Sequence, residues 1–192
     1  LTGEIRNQVD RLWDAFWTGG ISNPLEVIEQ LTYLLFIKRL DELHTLRERK
    51  ANRLNQPIEN PIFPPGDYND DWTYNQMRWS VFKNAEPREM YAVIVEAVFP
   101  FMKEMGGENS TFATHMRDAR FTLPPEKAGL LARVVKMLDK IPMEDRDTKG
   151  DLYEYLLSKL STAGQNGQFR TPRHIIKLMV EMVAPRPPDI IC

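Results

Sequence analysis

Cysteine is almost missing from these 192 residues, with only Cys192 at the end. That excludes a disulfide framework and a cysteine-built structural zinc site. Histidine is scarce too, and His44, His115 and His174 show none of the short His or Glu–His spacings that gather a metal. No charge sign dominates: 25 Lys+Arg against 27 Asp+Glu leave a net charge of −2. A strongly basic nucleic-acid coat is therefore excluded for the chain as a whole, while local basic patches remain open. Long apolar runs are lacking as well, because the stretch Met90 to Met102 is broken by Glu96 and Pro100 and falls short of the roughly 20 residues that cross a bilayer. Arg6, Asp10, Arg11 and Asp14 interrupt any leader-like apolar region at the start. The expectation is a cytoplasmic globular chain with no membrane partner, long enough to bury roughly 70% of its extended surface.

What is present is helical periodicity. Val9, Leu12, Trp13, Phe16 and Trp17 share one face before Gly19-Gly20 ends the segment. Asn23, Pro24 and Glu26 form a helix start, with a capping side chain, a proline at the first position and a capping-box acid. Apolar residues from Leu25 to Leu46 then cover too wide a girth for a coiled-coil seam, which predicts a central buried helix. Run to about Lys50, it spans roughly 40 Å. Residues Asn55 to Trp72 carry Pro57, Pro61, Pro64, Pro65 and Gly66, which predicts an irregular loop packed down by the aromatics that follow. Helix is predicted again over Pro87 to Met105 with a kink or break at Pro100, over Ser110 to Asp118, and over Pro125 to Leu138. Leu152, Tyr155, Leu156 and Leu160 predict another amphipathic helix. Thr171-Pro172 opens one more, and Asp189 to Cys192 reads as the start of a buried strand at which the chain looks truncated.

Glycine-rich phosphate loops of the GxGxxG and P-loop types are absent, and no nucleophilic triad can be assembled. Two places can carry function. Lys38, Arg39, Arg47, Arg49, Lys50 and Arg53 gather toward one end of the long helix, as a dipole-compensating solvated face or as a DNA phosphate contact. Gly167, Gln168, Phe169, Arg170, Thr171 and Pro172 form a loop and helix cap, where backbone amides and one aromatic plane suit a zwitterionic nucleoside cofactor. A capped helix after an ordinary loop has the same sequence.

Five blocks, in order, resemble the modification (methyltransferase) subunit of type I DNA restriction-modification systems. They are Leu12-Trp13, Leu31 to Asp41, Arg117 to Phe121, Gly150 to Leu157, and Gly167 to Arg173. The resemblance implies a mainly α architecture: a multi-helical N-terminal domain over residues 1–146, then the first helices and incipient first strand of an α/β S-adenosylmethionine-dependent domain over residues 147–192. It also implies methyl transfer to the exocyclic amine (N-6) of adenine in DNA. Gly167 to Pro172 would be the cofactor-binding segment, with Arg170 standing where many relatives have a second aromatic. The glycine-rich loop for the methionine end and the Asn-Pro-Pro-aromatic motif for the flipped adenine would lie beyond Cys192, so no catalytic residue is assigned and the fragment is expected to be inactive. Implied partners are DNA, the specificity subunit, a second methyltransferase subunit and the restriction subunit. The rival reading is a stand-alone helical DNA-binding or protein-interaction module without enzymatic role. Against its helix-turn-helix form, the strongest helix is apolar on too many sides to lie in a groove.

Overall fold

The computed structural model describes residues 3–105, 114, 116–142, 146–162, 171, 173–186 and 189. Among them helix dominates, and the sole strand-like feature is the isolated antiparallel bridge between Asp67 and Thr73. Helix α1 spans Gly3–Thr18 and buries Val9, Leu12, Ala15 and Phe16, whereas Trp17, expected on the same face, is 54% exposed. Its end is fixed by the backbone: Ile21 N–H donates to Phe16 O while Gly20 sits at φ +80°. Gly19 allows close approach, since a Cβ there would lie 2.3 Å from Leu130 Cδ2.

The two kinds of glycine predict opposite effects. Gly20→Ala places a side chain in the left-handed region and is expected to lower stability by about 1 kcal/mol. Gly129→Ala, in a helix with open space around the added methyl, is expected to raise it by about 0.5–1 kcal/mol. Urea denaturation reads both, and a Gly20→Ala variant as stable as its parent refutes the left-handed assignment.

Helix α2, Pro24–Leu54, is the axis of the fold. Asn23 Oδ1 accepts the Leu25 N–H at 3.1 Å with Pro24 at the first helical position, as the start signal predicts. The helix continues four residues past the expected end. It stops where Asn55 adopts the left-handed conformation and Gln56 N–H reaches back to Ala51 O. At 31 residues it is about 46 Å long. Its wide apolar girth holds from Val27 to Leu40, but Leu25 and Leu46 are about half exposed, so only the middle of the helix is central.

Around α2 pack α3 (Trp79–Phe82), α6 (Ala128–Asp139) and α7 (Arg146–Thr162). Helix α1 lies against α6 and α7, and α4 (Pro87–Val93) lies against α6. Leu152 and Leu156 of α7 are buried in the same core as α1 and α2. The proline-rich stretch is irregular as expected, and Phe63, Tyr68 and Tyr74 pin it against Phe101 with ring centroids 5.6–6.0 Å apart.

The chain stays helical through Pro100, with a change of hydrogen-bond pattern just before it. Helix α4 passes into a π turn, Ile94–Val98, and on into α5, Phe99–Glu104. Phe99 N–H donates to Ile94 O, five residues back, and the proline sits in the first turn after that change of pattern, where its missing N–H does least harm. Pro125–Lys127 forms a 3-10 turn leading into α6. Most of the helix predicted over Ser110 to Asp118, and all of the strand predicted from Asp189 except Asp189 itself, lie outside the described residues. No helix among the described residues is long and apolar enough to cross a membrane.

Candidate functional site

The cationic end of α2 divides in two. Lys38 does not belong to a solvent-facing cluster. It is 6% exposed, and its ammonium donates to the carbonyls of Leu138 (3.1 Å) and Ile141, with Asp139 O at 3.5 Å. The Leu138 and Asp139 carbonyls lie in the last turn of α6 and Ile141 two residues beyond it, at the negative end of the helix dipole. Lys38 is thus the C-terminal cap of a helix 100 residues downstream, which corrects the DNA-contact expectation for this residue. Arg39 is partly buried and pairs with Glu42 at 3.3 Å.

Arg47, Arg49, Lys50 and Arg53 are exposed. Arg47 Nη1 donates to Asn60 O, which ties the loop to the helix. Between them lies an open groove of about 430 Å³, whose walls include Arg47, Lys50, Pro57 and the acid Glu59. Glu48, which might have neutralised this face, is drawn away. It pairs with Arg78, which also binds Asp41, and the arrangement locks the loop to α2. His44 lies inside the same cluster, 3% exposed, with Nδ1 accepting the Phe63 N–H at 3.4 Å. Burial first, then the Arg78 charge, pushes its pKa down.

Of the segment expected to bind a cofactor, Thr171 is described and exposed, while Gly167, Gln168, Phe169, Arg170 and Pro172 lie outside the described residues. Thr171 stands two residues before α8, Arg173–Val183. It borders a cavity of about 630 Å³ between α7 and α8, within the range of nucleoside-sized sites. Ile176, Met179 and Val180 make one wall, and Gly150, Tyr153 and Glu154 make the other. An apolar wall, an aromatic ring, a hydroxyl and a carboxylate are present together. These groups suit a ligand with a flat base and a charged end.

The α7 wall is anchored to the helical core. Tyr153 hydrogen-bonds the Thr32 side chain of α2, and burial pushes its phenol pKa up. Two residues further on, Tyr155 Oη donates to Asp10 Oδ1 at 2.6 Å and accepts from Arg6 Nε at 3.3 Å, with the Arg6 and Lys159 cations 5.2 and 5.1 Å from its ring centroid. Burial would raise the Asp10 pKa, but hydrogen bonds from Lys159 and Tyr155 outweigh it and hold the carboxyl below its ordinary value. Gln30, fully buried, binds Arg120 O and Thr122 N–H at 3.1 Å each. Two other sequence blocks, Arg117 to Phe121 and Gly150 to Leu157, thus converge on α2. The sequence reading assigned Gly150, Tyr153 and Glu154 no role, although the Gly150 to Leu157 block was the available signal. No group of three His, Cys, Asp or Glu side chains that could hold a metal occurs among the described residues.

Known proteins resemble this arrangement. A solved chain of a type I R-M system, studied for complex assembly and conformational transition, superimposes with a TM-score of 0.61. The likeness, at 22% identity, covers 93% of this chain and 36% of that one, and it shows the fold. The methylase subunit of the type I restriction enzyme EcoEI from Escherichia coli is 37% identical over 60 residues, 30% of this chain and 12% of that protein. The chain therefore spans a minor part of the length of both relatives. Residues 144–192 match the N-6 DNA methylase family. Residues 5–138, more than half of the chain, match the HsdM N-terminal domain, and the chain belongs to that family.

Proposed function

We propose that this chain is the N-terminal part of a type I restriction-modification methyltransferase subunit that transfers a methyl group from S-adenosylmethionine to N-6 of adenine in DNA. The observation that carries the reading is the tandem order of the two family matches, the HsdM N-terminal domain followed at once by the start of an N-6 DNA methylase. The cavity between α7 and α8 supports it, because it brings Thr171 of the cofactor segment beside an apolar wall and a tyrosine. S-Adenosylmethionine supplies the methyl on its sulfonium. The residues of this chain bind and orient that cofactor, while extrusion of the adenine and aim at its amine are positioning tasks for the whole subunit. The helical domain contributes contacts to the DNA backbone and to the specificity and partner methyltransferase subunits. Residues 1–146 form that domain, and residues 147–192 open the methyltransferase domain. The test is N6-methyladenine formation by the full-length subunit with its specificity subunit, using labelled S-adenosylmethionine. Label found only on cytosine, or none on DNA at all, overturns the reading.

DNA contact falls to the exposed part of the cationic end. Neutralising Arg47, Arg49 and Arg53 together in the full-length subunit is expected to weaken DNA binding and flatten its salt dependence. At about −0.9 in log affinity per log salt for each phosphate contact, three lost contacts change the slope by about 2.7. An unchanged slope would return these side chains to a solvated helix end. Lys38 is left out of the set because it is buried.

A further inference from the structure

The match to the N-6 DNA methylase family begins at residue 144, but the two described helices within it are packed in opposite ways. Leu152 and Leu156 of α7 are buried in one core with Val9, Leu12 and Phe16 of α1, whereas the large apolar side chains of residues 175–183, in α8, are 38–77% exposed. We propose that α7 is a coupling helix: it opens the methyltransferase domain in sequence, yet it is clasped into the helical domain by Asp10 and so moves and unfolds with α1. This inference rests on the reading of residues 147–192 given above, and it makes α1 the surface on which the methyltransferase domain is mounted.

Helical spacing puts Leu152, Tyr155, Leu156 and Lys159 on one side of α7, and α7 packs on α1 and α2. The two leucines supply the apolar part of that contact. Its polar part is a clasp. Tyr155 Oη donates to Asp10 Oδ1 at 2.6 Å, and the Lys159 ammonium reaches the same oxygen at 2.5 Å. Arg6, one turn before Asp10 on α1, donates to Tyr155 Oη at 3.3 Å and lies over its ring. A single ion pair at this partial exposure contributes little, because water screens it and two long side chains lose freedom. A carboxylate that takes donors from two successive turns of one helix does more: it fixes the rotation and the register of that helix. On the α2 side, Tyr153 is held by the Thr32 side chain. The division between buried and exposed apolar side chains therefore falls between α7 and α8, not at residue 144 where the family match begins. Rotation of the methyltransferase domain against the helical one leaves α7 in place, since moving it would bring Leu152 and Leu156 into water and break both bonds to Asp10.

Hydrogen exchange of the full-length subunit, read peptide by peptide by mass spectrometry, tests the coupling. In the parent, amides of residues 152–159 are expected to show protection within about tenfold of the buried part of α1, as members of one opening unit do. Asp10→Ala removes the acceptor of both donors and is expected to speed exchange in α7 and α1 by about tenfold, with α8 changing by less than about twofold. Tyr155→Phe keeps the ring and removes one donor, for a change of about three- to tenfold, and it stands in should Asp10→Ala fail to fold. In the double variant the two factors should multiply to less than their product, because they share one bond. Unchanged exchange of α7 in both single variants overturns the clasp. Exchange of α7 at the rate of α8, with α1 still protected, overturns the coupling and returns α7 to the methyltransferase domain alone. A speed-up of α8 equal to that of α7 overturns it as well, since the division would then not fall between them. Failure of the methylation reading, seen as missing N6-methyladenine, leaves these rates as they are, so the two readings fail separately.

Discussion

Lys38→Glu is expected to leave the chain unable to fold at ordinary temperature. The native ammonium satisfies carbonyls at the end of α6 from a position 6% exposed, with Glu42 3.8 Å away. A carboxylate in its place offers no donor, faces the negative end of a helix and meets a second acid. Leu138 O keeps the Ile141 N–H at 3.1 Å, but Ile141 O loses the ammonium; losing a buried hydrogen bond to a charged group costs about 1–3 kcal/mol, and the like-charge and desolvation costs add to that. The sum is comparable with the whole stability of a domain, about 5–15 kcal/mol. Lys38→Met keeps the apolar stem and separates the two contributions: it should fold, with a loss of about 2–4 kcal/mol. Circular dichroism melting decides the matter. A Lys38→Glu protein melting within about 2 °C of its parent would show that the ammonium is not the cap of α6.

Arg78→Leu is expected to cost about 3–5 kcal/mol, as breaking a buried pair from one side does. Arg78 Nε lies 2.7 Å from Asp41 Oδ1, Nη1 and Nη2 reach Glu48 at 2.8 Å each, and Nη2 reaches Thr45 at 3.0 Å. Asp41 is 4% exposed and would be left with the Ser80 N–H as its remaining partner in the cluster. Adding Asp41→Asn should recover much of the loss, because the amide oxygen still accepts from Ser80, no unpaired charge remains at the buried position 41, and Glu48, whose side chain is 31% exposed, can be solvated. If the double variant is no more stable than the single one, the cost comes from packing and the pair has been misjudged. The same cluster gives the parent an acid sensitivity. His44 is held below its ordinary pKa of 6.5, so the unfolded chain takes up its proton first. Its contribution to stability is complete above pH 6.5 and is lost as pH falls toward the lowered folded pKa.

Features written in adjacent residues were legible in the sequence. Asn23 and Pro24 start α2 because capping needs a side-chain acceptor and a missing N–H within one turn. Gly19-Gly20 ends α1 for an equally local reason. Lys38 was misread because one-dimensional spacing places it among cations, whereas its partners come from residues 138–141. Trp17 and Leu46 fall on apolar stripes, yet which part of a stripe is covered depends on where neighbouring helices end. For the candidate site, the cofactor role proposed for Gly167 to Pro172 rests on resemblance. The facing wall of Gly150, Tyr153 and Glu154 was not legible, since a cavity between α7 and α8 exists only after α7 docks on α1 and α2.

The π turn before Pro100 has a consequence for chain length. Met90, Val93, Ile94 and Ala97 are buried up to the change of hydrogen-bond pattern, and Val98, Phe99 and Met102 are buried at and beyond it. The bond from Phe99 N–H to Ile94 O closes a turn one residue wider than an α-turn, and the buried side chains on both sides of it keep both halves of the helix on the core. A relative one residue shorter in this stretch, with an ordinary residue in place of Pro100, would present the same two faces through an unbroken α-helix. Alignments across the family should accordingly open a single-residue gap here, and the presence of that gap should covary with the proline.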